Sequence, residues 1–201
     1  MAPIRQLVLV SGLTAAGKTT HSKLLAARLK WDYVGTSQLL RQLVPFSPQG
    51  KREWLPAVDA YRGKTIAVDH ALDQLMRKQI DQSPRPLVVD AWLQPWLCHR
   101  IDALRVWLNS DEPSRLRKAA VSFMRDDMTP PADLDIQIRE KDEFSILIFK
   151  RIYNIDFGPD PDVFDLIIDN TRFIADASVA ASDRGIAAFE PDFQRIIAAY
   201  L

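Results

Sequence analysis

Apolar positions along this chain gather into short runs separated by longer stretches of helical period. The runs Leu7–Val10, Tyr33-Val34, Leu87–Val89, Leu104–Leu108 and Leu166–Ile168 have the length and composition of buried strands. Helical patterns fall at Thr19–Lys30, Ser37–Leu43, Lys64–Ile80, Pro113–Arg125, Asp133–Tyr153 and Pro191–Leu201. Such alternation predicts an α/β protein whose parallel sheet is covered on both faces. Pro113 suits the first turn of its helix, with Asp111 or Ser110 able to cap it. The stretch Phe46 to Arg62, with Pro45, Pro48 and Pro56 in or beside it, reads as an irregular insert. Met128-Thr129-Pro130-Pro131 separates two charged helices that, standing off the sheet, would make a movable lid. A solvated hairpin without function has the same composition.

Between the first strand and the first helix stands Gly12-Leu13-Thr14-Ala15-Ala16-Gly17-Lys18-Thr19, a complete G-x-x-x-x-G-K-[ST] string. Its strand–loop–helix context is the one in which a phosphate loop works. The expected fold is therefore that of a P-loop NTPase: three-layer α/β/α, a five-stranded parallel sheet and a helical lid. Glycines at both ends let successive N–H groups turn inward toward phosphate oxygens, and the helix beginning near Lys18 adds its positive end. Gly12, Thr14, Ala15, Ala16, Gly17, Lys18, Thr19 and Thr20 form the candidate ATP-phosphate surface. Lys18 would reach the β- and γ-phosphates, and the Thr19 hydroxyl would join the Mg²⁺ shell.

Composition narrows the partners. Twenty-six basic and 26 acidic side chains give zero formal net charge, so no basic field points to a nucleic acid polymer or a membrane surface. Apolar residues make up 47% of 201, enough for one substantial core. The lone Cys98 rules out an intramolecular disulfide and suits a reducing compartment. No run approaches the ~18 apolar residues of a membrane span, and no signal-peptide pattern opens the sequence, so a cytoplasmic protein is expected. Oligomeric state is left unassigned.

Other phosphate-loop classes lack their second signal here. There is no N-K-x-D base reader of a GTPase and no L-S-G-G-Q of a transporter ATPase. Asp32-Tyr33-Val34-Gly35 matches D-x-x-G but follows the loop too soon. A small-molecule kinase fits better, and several stations name its kind. Tyr33-Val34-Gly35-Thr36-Ser37-Gln38-Leu39-Leu40-Arg41 is a strand and small-residue turn with an arginine one helical turn on. Leu87-Val88-Val89-Asp90-Ala91-Trp92 is a strand ending in an acid, and Ser114-Arg115-Leu116-Arg117-Lys118 is a basic helix start. Arg139-Glu140-Lys141-Asp142-Glu143, Ile152-Tyr153-Asn154-Ile155-Asp156 and Phe164-Asp165-Leu166-Ile167-Ile168-Asp169-Asn170-Thr171 follow the course R-E-x-x-E … I-Y-G-I-D … Y-D-L-V-I-N-T. From residue 6 to about 171 the chain resembles the cytidylate kinase-like family of P-loop nucleoside monophosphate kinases.

That resemblance implies a single domain over residues 1–201, with sheet at roughly 6–110 and 164–171, an acceptor-side insert at roughly 37–82 and a lid at roughly 115–153. It implies ATP and Mg²⁺ as cofactors and a nucleoside monophosphate, CMP or dCMP first, as acceptor. Arg41 would grip the acceptor phosphate, a task suited to a bidentate guanidinium. Arg139 would clamp phosphates as the lid closes, Arg115 and Lys118 would lie near the adenine or the hinge, and Asp90 would orient Mg²⁺ water or the acceptor. Ser37 and Trp92 would border the acceptor. Plainer readings stand beside these: Arg41 as a surface arginine, Arg139 as part of a salt-bridged face, Asp69, Asp73 and Arg77 as surface pairs, and Trp92 and Trp96 as core. His21, His70 and His99 show no metal-ligand spacing, and none is a persuasive base.

Three departures change the picture. Trp92 and Ala91 replace the arginine and glycine after the acidic strand end; Phe144–Phe149 replaces a stretch with a further lid arginine, leaving Ile146 in its place; Ser37 stands where glycine is usual. One lost charge clamp on a transferring phosphoryl group lowers rate by several powers of ten. Two alternatives stay open: a kinase of an alcohol acceptor, with Asp90 as base, or an ATP-binding regulatory module whose lid no longer catalyses.

Overall fold

A computed structural model describes residues 4–43 and 66–201. In chain order its elements are β1 (Leu7–Ser11), α1 (Lys18–Leu29), β2 (Asp32–Gly35), α2 (Thr36–Leu43), α3 (Ile66–Asp81), β3 (Leu87–Asp90), α4 (Gln94–Leu97), β4 (Ala103–Asn109), α5 (Glu112–Met124), α6 (Leu134–Tyr153), β5 (Leu166–Asp169) and α7 (Val179–Ala198). A 3₁₀ turn covers Thr171–Phe173. The insert expected at Phe46 to Arg62 lies outside the described residues.

Five parallel strands form one sheet in the order β2-β3-β1-β4-β5. The two-residue period of β1 sends Leu7 and Leu9 into one core and Val8 and Val10 into the other. The first core holds Leu39, Leu40, Leu72 and Met76 of α2 and α3; the second holds Leu25 of α1 with Phe189, Phe193 and Ile197 of α7. Burial on both faces explains why these strands read as unbroken apolar runs. Register aligns Val10 with Asp90, Gly35 with Asp90, Ser11 with Trp107 and Asn109 with Asp169, so the carboxyl ends finish along one edge. β1 has β3 on one side and β4 on the other, and the crevice above that reversal is where open α/β sheets bind ligands.

Helices α5 and α6 pack against each other and against the phosphate loop. They enclose Ala119, Phe123, Leu134 and Ile138 and reach Ala15 of the loop. The second half of α6 packs Ile148 and Phe149 against Leu93 and Trp107. The apolar run Phe144–Phe149 is thereby split: Phe149 is buried, while Ile146 and Leu147 point outward, Leu147 with 69% of its surface exposed. Trp96 belongs to the same cluster, meeting Trp107 and Phe164 edge to face.

Two helices depart from expectation. The last was expected at Pro191–Leu201, with proline marking its start; α7 instead begins at Val179, where the Ser178 hydroxyl accepts from the Ala181 N–H, and carries Pro191 inside it. The reason is tertiary: Phe189 and Phe193 straddle that proline and bury against the sheet, outweighing the hydrogen bond it removes. α4 was not anticipated, being a single turn with Pro95 in its first positions.

Gly185 brings α7 against the turn after β5. A Cβ at that position would lie 1.6 Å from the Phe173 carbonyl oxygen, which is backbone and cannot turn aside. Gly185→Ala is expected to destabilise the fold by about 1–3 kcal/mol or more, read as a lowered midpoint in thermal or urea unfolding.

Candidate active site

The phosphate loop runs from the end of β1 to the start of α1. Gly12 has φ 153°, and a Cβ there would meet the Leu108 carbonyl oxygen at 2.5 Å, so the first glycine is required by close approach to β4. Gly17, at φ 95°, turns the chain into α1, whose first residue is Lys18. Between them Ala15 adopts φ 59°. The Lys18 ammonium folds back over the loop, donating to the carbonyls of Gly12 and Leu13 at 2.8 Å each. Burial pushes its pKa below the ordinary value, against the pull of Asp90 and Asp142.

Asp90 closes the opposite side. It is buried at the end of β3 and accepts from the Thr19 hydroxyl through Oδ2. Burial drives its pKa up, opposed by the Lys18 charge and by hydrogen bonds from Thr19 and Tyr33. Tyr33 reaches the same oxygen at 3.4 Å, and Thr36 donates to the Asp90 carbonyl at 3.0 Å. Neither was singled out from the sequence, because β2 meets the strand end only through the sheet order.

Two basic residues of α5, Arg115 and Lys118, face the loop. Arg115 is buried, pairs with Asp142 of α6 and donates to the Thr14 carbonyl at 3.0 Å. Asp142 accepts from the Thr14 N–H at 2.9 Å with its other oxygen. Helices α5 and α6 and the loop crest are thus tied by one carboxylate, which in the sequence is one charge within the run Arg139-Glu140-Lys141-Asp142-Glu143. Lys118 donates to Ser110 Oγ at 2.8 Å and to Asn170 Oδ1 at 2.5 Å, and Asn170 in turn donates to the Ala16 carbonyl at 2.9 Å. Burial lowers the Lys118 pKa to about 8, against Asp169 and Asp111. Arg139 is half exposed, paired with Asp135 one turn back at 2.7 Å and 4.0 Å from Glu112.

On the acceptor side Trp92 is half-buried, its ring against Phe149, with the Lys141 ammonium 5.5 Å above it. Thr36, Asp69, Asp73 and Gln94 line the crevice beside it. Asp69 is not a surface residue as expected; it is 2% exposed, turned inward by the apolar face of α3 that carries Leu72 and Met76. Asp73 accepts from the Tyr153 hydroxyl, joining α3 to the end of α6. Ser37 sits half-buried at the start of α2. The side chain of Arg41 lies outside the described residues.

A cavity of about 390 Å³ opens beside the loop, lined among others by Thr19, Thr20, Lys118, Asn170, Ile186 and Phe189. Its volume suits a nucleotide. The loop amides, the glycines that no Cβ could replace and Lys18 fit a triphosphate. A hydroxyl and one carboxylate fit Mg²⁺, which keeps several waters and shares its shell with substrate phosphates. Among the described residues no cluster of three or more His, Cys, Asp or Glu side chains could hold a metal by itself, and no helix is long and apolar enough to cross a membrane.

Residues 7–172 match the model of the cytidylate kinase-like family, and the chain belongs to that family. It is similar to a protein named cytidylate kinase from Haloquadratum walsbyi, 28% identical over 187 residues, 92% of this chain and 91% of that one. A cytidylate kinase from Methanosarcina barkeri is 24% identical over 168 residues, 83% and 88% of the two chains. Among solved structures, the fold is shared with shikimate kinase from Acinetobacter baumannii (TM-score 0.52, 14% identity, 94% and 93% of the two chains). It is shared also with a gluconokinase from Sinorhizobium meliloti (TM-score 0.50, 13% identity, 94% and 96%). Family and fold together define a P-loop phosphotransferase.

Two outcomes are expected from this geometry. Asp142→Ala leaves the Arg115 guanidinium buried without its carboxylate and is expected to lose about 3–5 kcal/mol of stability, measured by urea unfolding. Lys118 with a pKa of about 8 is charged below that pH and neutral above it. A bound polyphosphate favours the charged form, so ATP affinity measured by calorimetry is expected to fall as pH rises from about 8. Lys118→Met should flatten that part of the profile.

Proposed function

We propose that this protein transfers the γ-phosphoryl group of ATP, with Mg²⁺, to a nucleoside monophosphate, CMP and dCMP being the first candidates. One conjunction carries the reading: Lys18 and Thr19 of the phosphate loop converge with Asp90, in a chain of the cytidylate kinase-like family. Phosphoryl transfer asks for alignment, exclusion of water and neutralised charge more than for covalent help. The loop amides receive the phosphates, and Lys18 exchanges the Gly12 and Leu13 carbonyls for phosphate oxygens. Thr19 and Asp90 would hold the metal, which would supply positive charge against the transferring phosphoryl group. Arg41 grips the acceptor phosphate, with Ser37 and Trp92 at its border. Arg139 acts only by leaving Asp135 and Glu112. The whole works as one domain, with residues 115–153 as lid and 37–82 on the acceptor side.

A second reading keeps the donor site and changes the acceptor to an alcohol. It is favoured by the crevice itself, where Asp69, Asp73 and Gln94 flank Trp92 in place of the family's arginine. Asp90, whose burial raises its pKa, would then take the hydroxyl proton.

ADP release separates the readings. With CMP, dCMP, UMP, AMP and a set of sugars as acceptors, turnover is expected with CMP or dCMP. Lys18→Met is expected to lower it on the order of 10²–10³-fold. Release with sugars alone establishes the second reading. ATP binding with no release in any mixture makes the protein a nucleotide-binding module and ends both.

A further inference from the structure

Two buried ionisable side chains take no part in the chemistry above: His21, which lines the donor cavity, and Glu190 behind it. His21 is in the first turns of α1 and 5% exposed; Glu190 is in the middle of α7 and 9% exposed. His21 Nδ1 and Glu190 Oε2 are 2.6 Å apart, and the other Glu190 oxygen accepts from Gln194 Nε2 at 2.9 Å, one turn on. The imidazole lies edge to face with Phe189 at 4.8 Å and tilted to Phe193 at 5.7 Å, so α7 holds it on three sides.

The ring's remaining edge packs under the phosphate loop. A Cβ at Gly17 would come within 3.2 Å of His21 Cδ2 and 3.5 Å of Nε2, so the ring fills the space beside that glycine. One side chain therefore touches both the glycine that turns the loop into α1 and the helix whose Ser182, Gly185, Ile186 and Phe189 wall the cavity. That helix lies beyond residues 7–172, the part of the chain the family model covers. A buried imidazole–carboxylate hydrogen bond is directional, and it fixes ring orientation as an apolar contact does not.

We propose that His21 is a positioning residue for the donor nucleotide. Acting with Glu190, it sets the distance between the phosphate loop at Gly17 and the α7 wall that faces the base and ribose. The inference rests on the donor site being an ATP site. The acceptor crevice is lined from α2, α3 and α6 and the segment after β3, and the pair touches none of these. Loss of the pair consequently loosens donor binding and leaves acceptor binding and the chemical step as they were.

The experiment is calorimetry of Mg²⁺–ATP on the full chain, joined to steady-state kinetics with whichever acceptor the ADP-release panel identifies. His21→Ala and Glu190→Ala are expected to weaken ATP binding and raise its KM about tenfold, with kcat and acceptor KM within twofold of wild type. Glu190→Gln and His21→Asn, which keep a hydrogen bond across the gap, are expected to recover most of the affinity. Should an alanine variant fail to fold, its conservative counterpart, checked by thermal unfolding, is compared with the remaining alanine variant. Wild-type ATP affinity in a folded alanine variant overturns the proposal while leaving the donor reading intact. So does a parallel loss of acceptor KM or kcat. Wild-type protein that binds no ATP overturns both together.

Discussion

A phosphate loop keeps its shape through contacts made from outside it. Here three side chains make them. Asp142 accepts from the Thr14 N–H, Asn170 donates to the Ala16 carbonyl, and the imidazole of His21 fills the space under Gly17. They come from α6, from the end of β5 and from α1, so three separate elements meet at the loop. The close approach of Gly12 to the Leu108 carbonyl pins the loop's entrance to β4 in the same way. The rest of the molecule is arranged around keeping these eight or so residues still.

Charge follows the same arrangement. Lys18 and Lys118 are pushed below their ordinary pKa and Asp90 above its own, each chiefly by burial. A buried charge without full compensation is a binding opportunity, because a ligand of opposite sign removes the penalty already incurred. On the reading proposed above, polyphosphate would answer the two lysines and a divalent cation the aspartate. The buried Arg115–Asp142 pair differs: its charges are satisfied internally, and it serves to lock α5 to α6 at the loop crest.

The crevice beside the end of β3 is built on other terms. Inward-facing Asp69 and Gln94 line it with the Trp92 ring, and the Tyr153–Asp73 link closes beside them. Position 146, where the family's pattern has an arginine, carries an isoleucine on the outer face of α6.

What was legible in the residues was local. The strand runs, the phosphate loop and its Lys18 and Thr19, the acid ending β3 and the cap of α5 each depend on neighbours a few positions away, and short-range rules of backbone and burial suffice for them. Asp111, for instance, caps α5 as its spacing suggests, accepting from the Ser114 N–H at 2.8 Å. Partners across long separations were decided only on folding. Nothing near Asp142 announces that it will meet Thr14 128 positions away, nor His21 that it will meet Glu190 after 169. α7 shows the same limit within one element: Pro191 reads as a helix start by local rules, yet Phe189 and Phe193 beside it gain more from burial against the sheet than the lost hydrogen bond takes away. The chain alone determined which chemistry the loop offers, because that chemistry is carried by contiguous backbone. Which side chains brace it, and which face the acceptor, depended on contacts that exist only once the layers have packed.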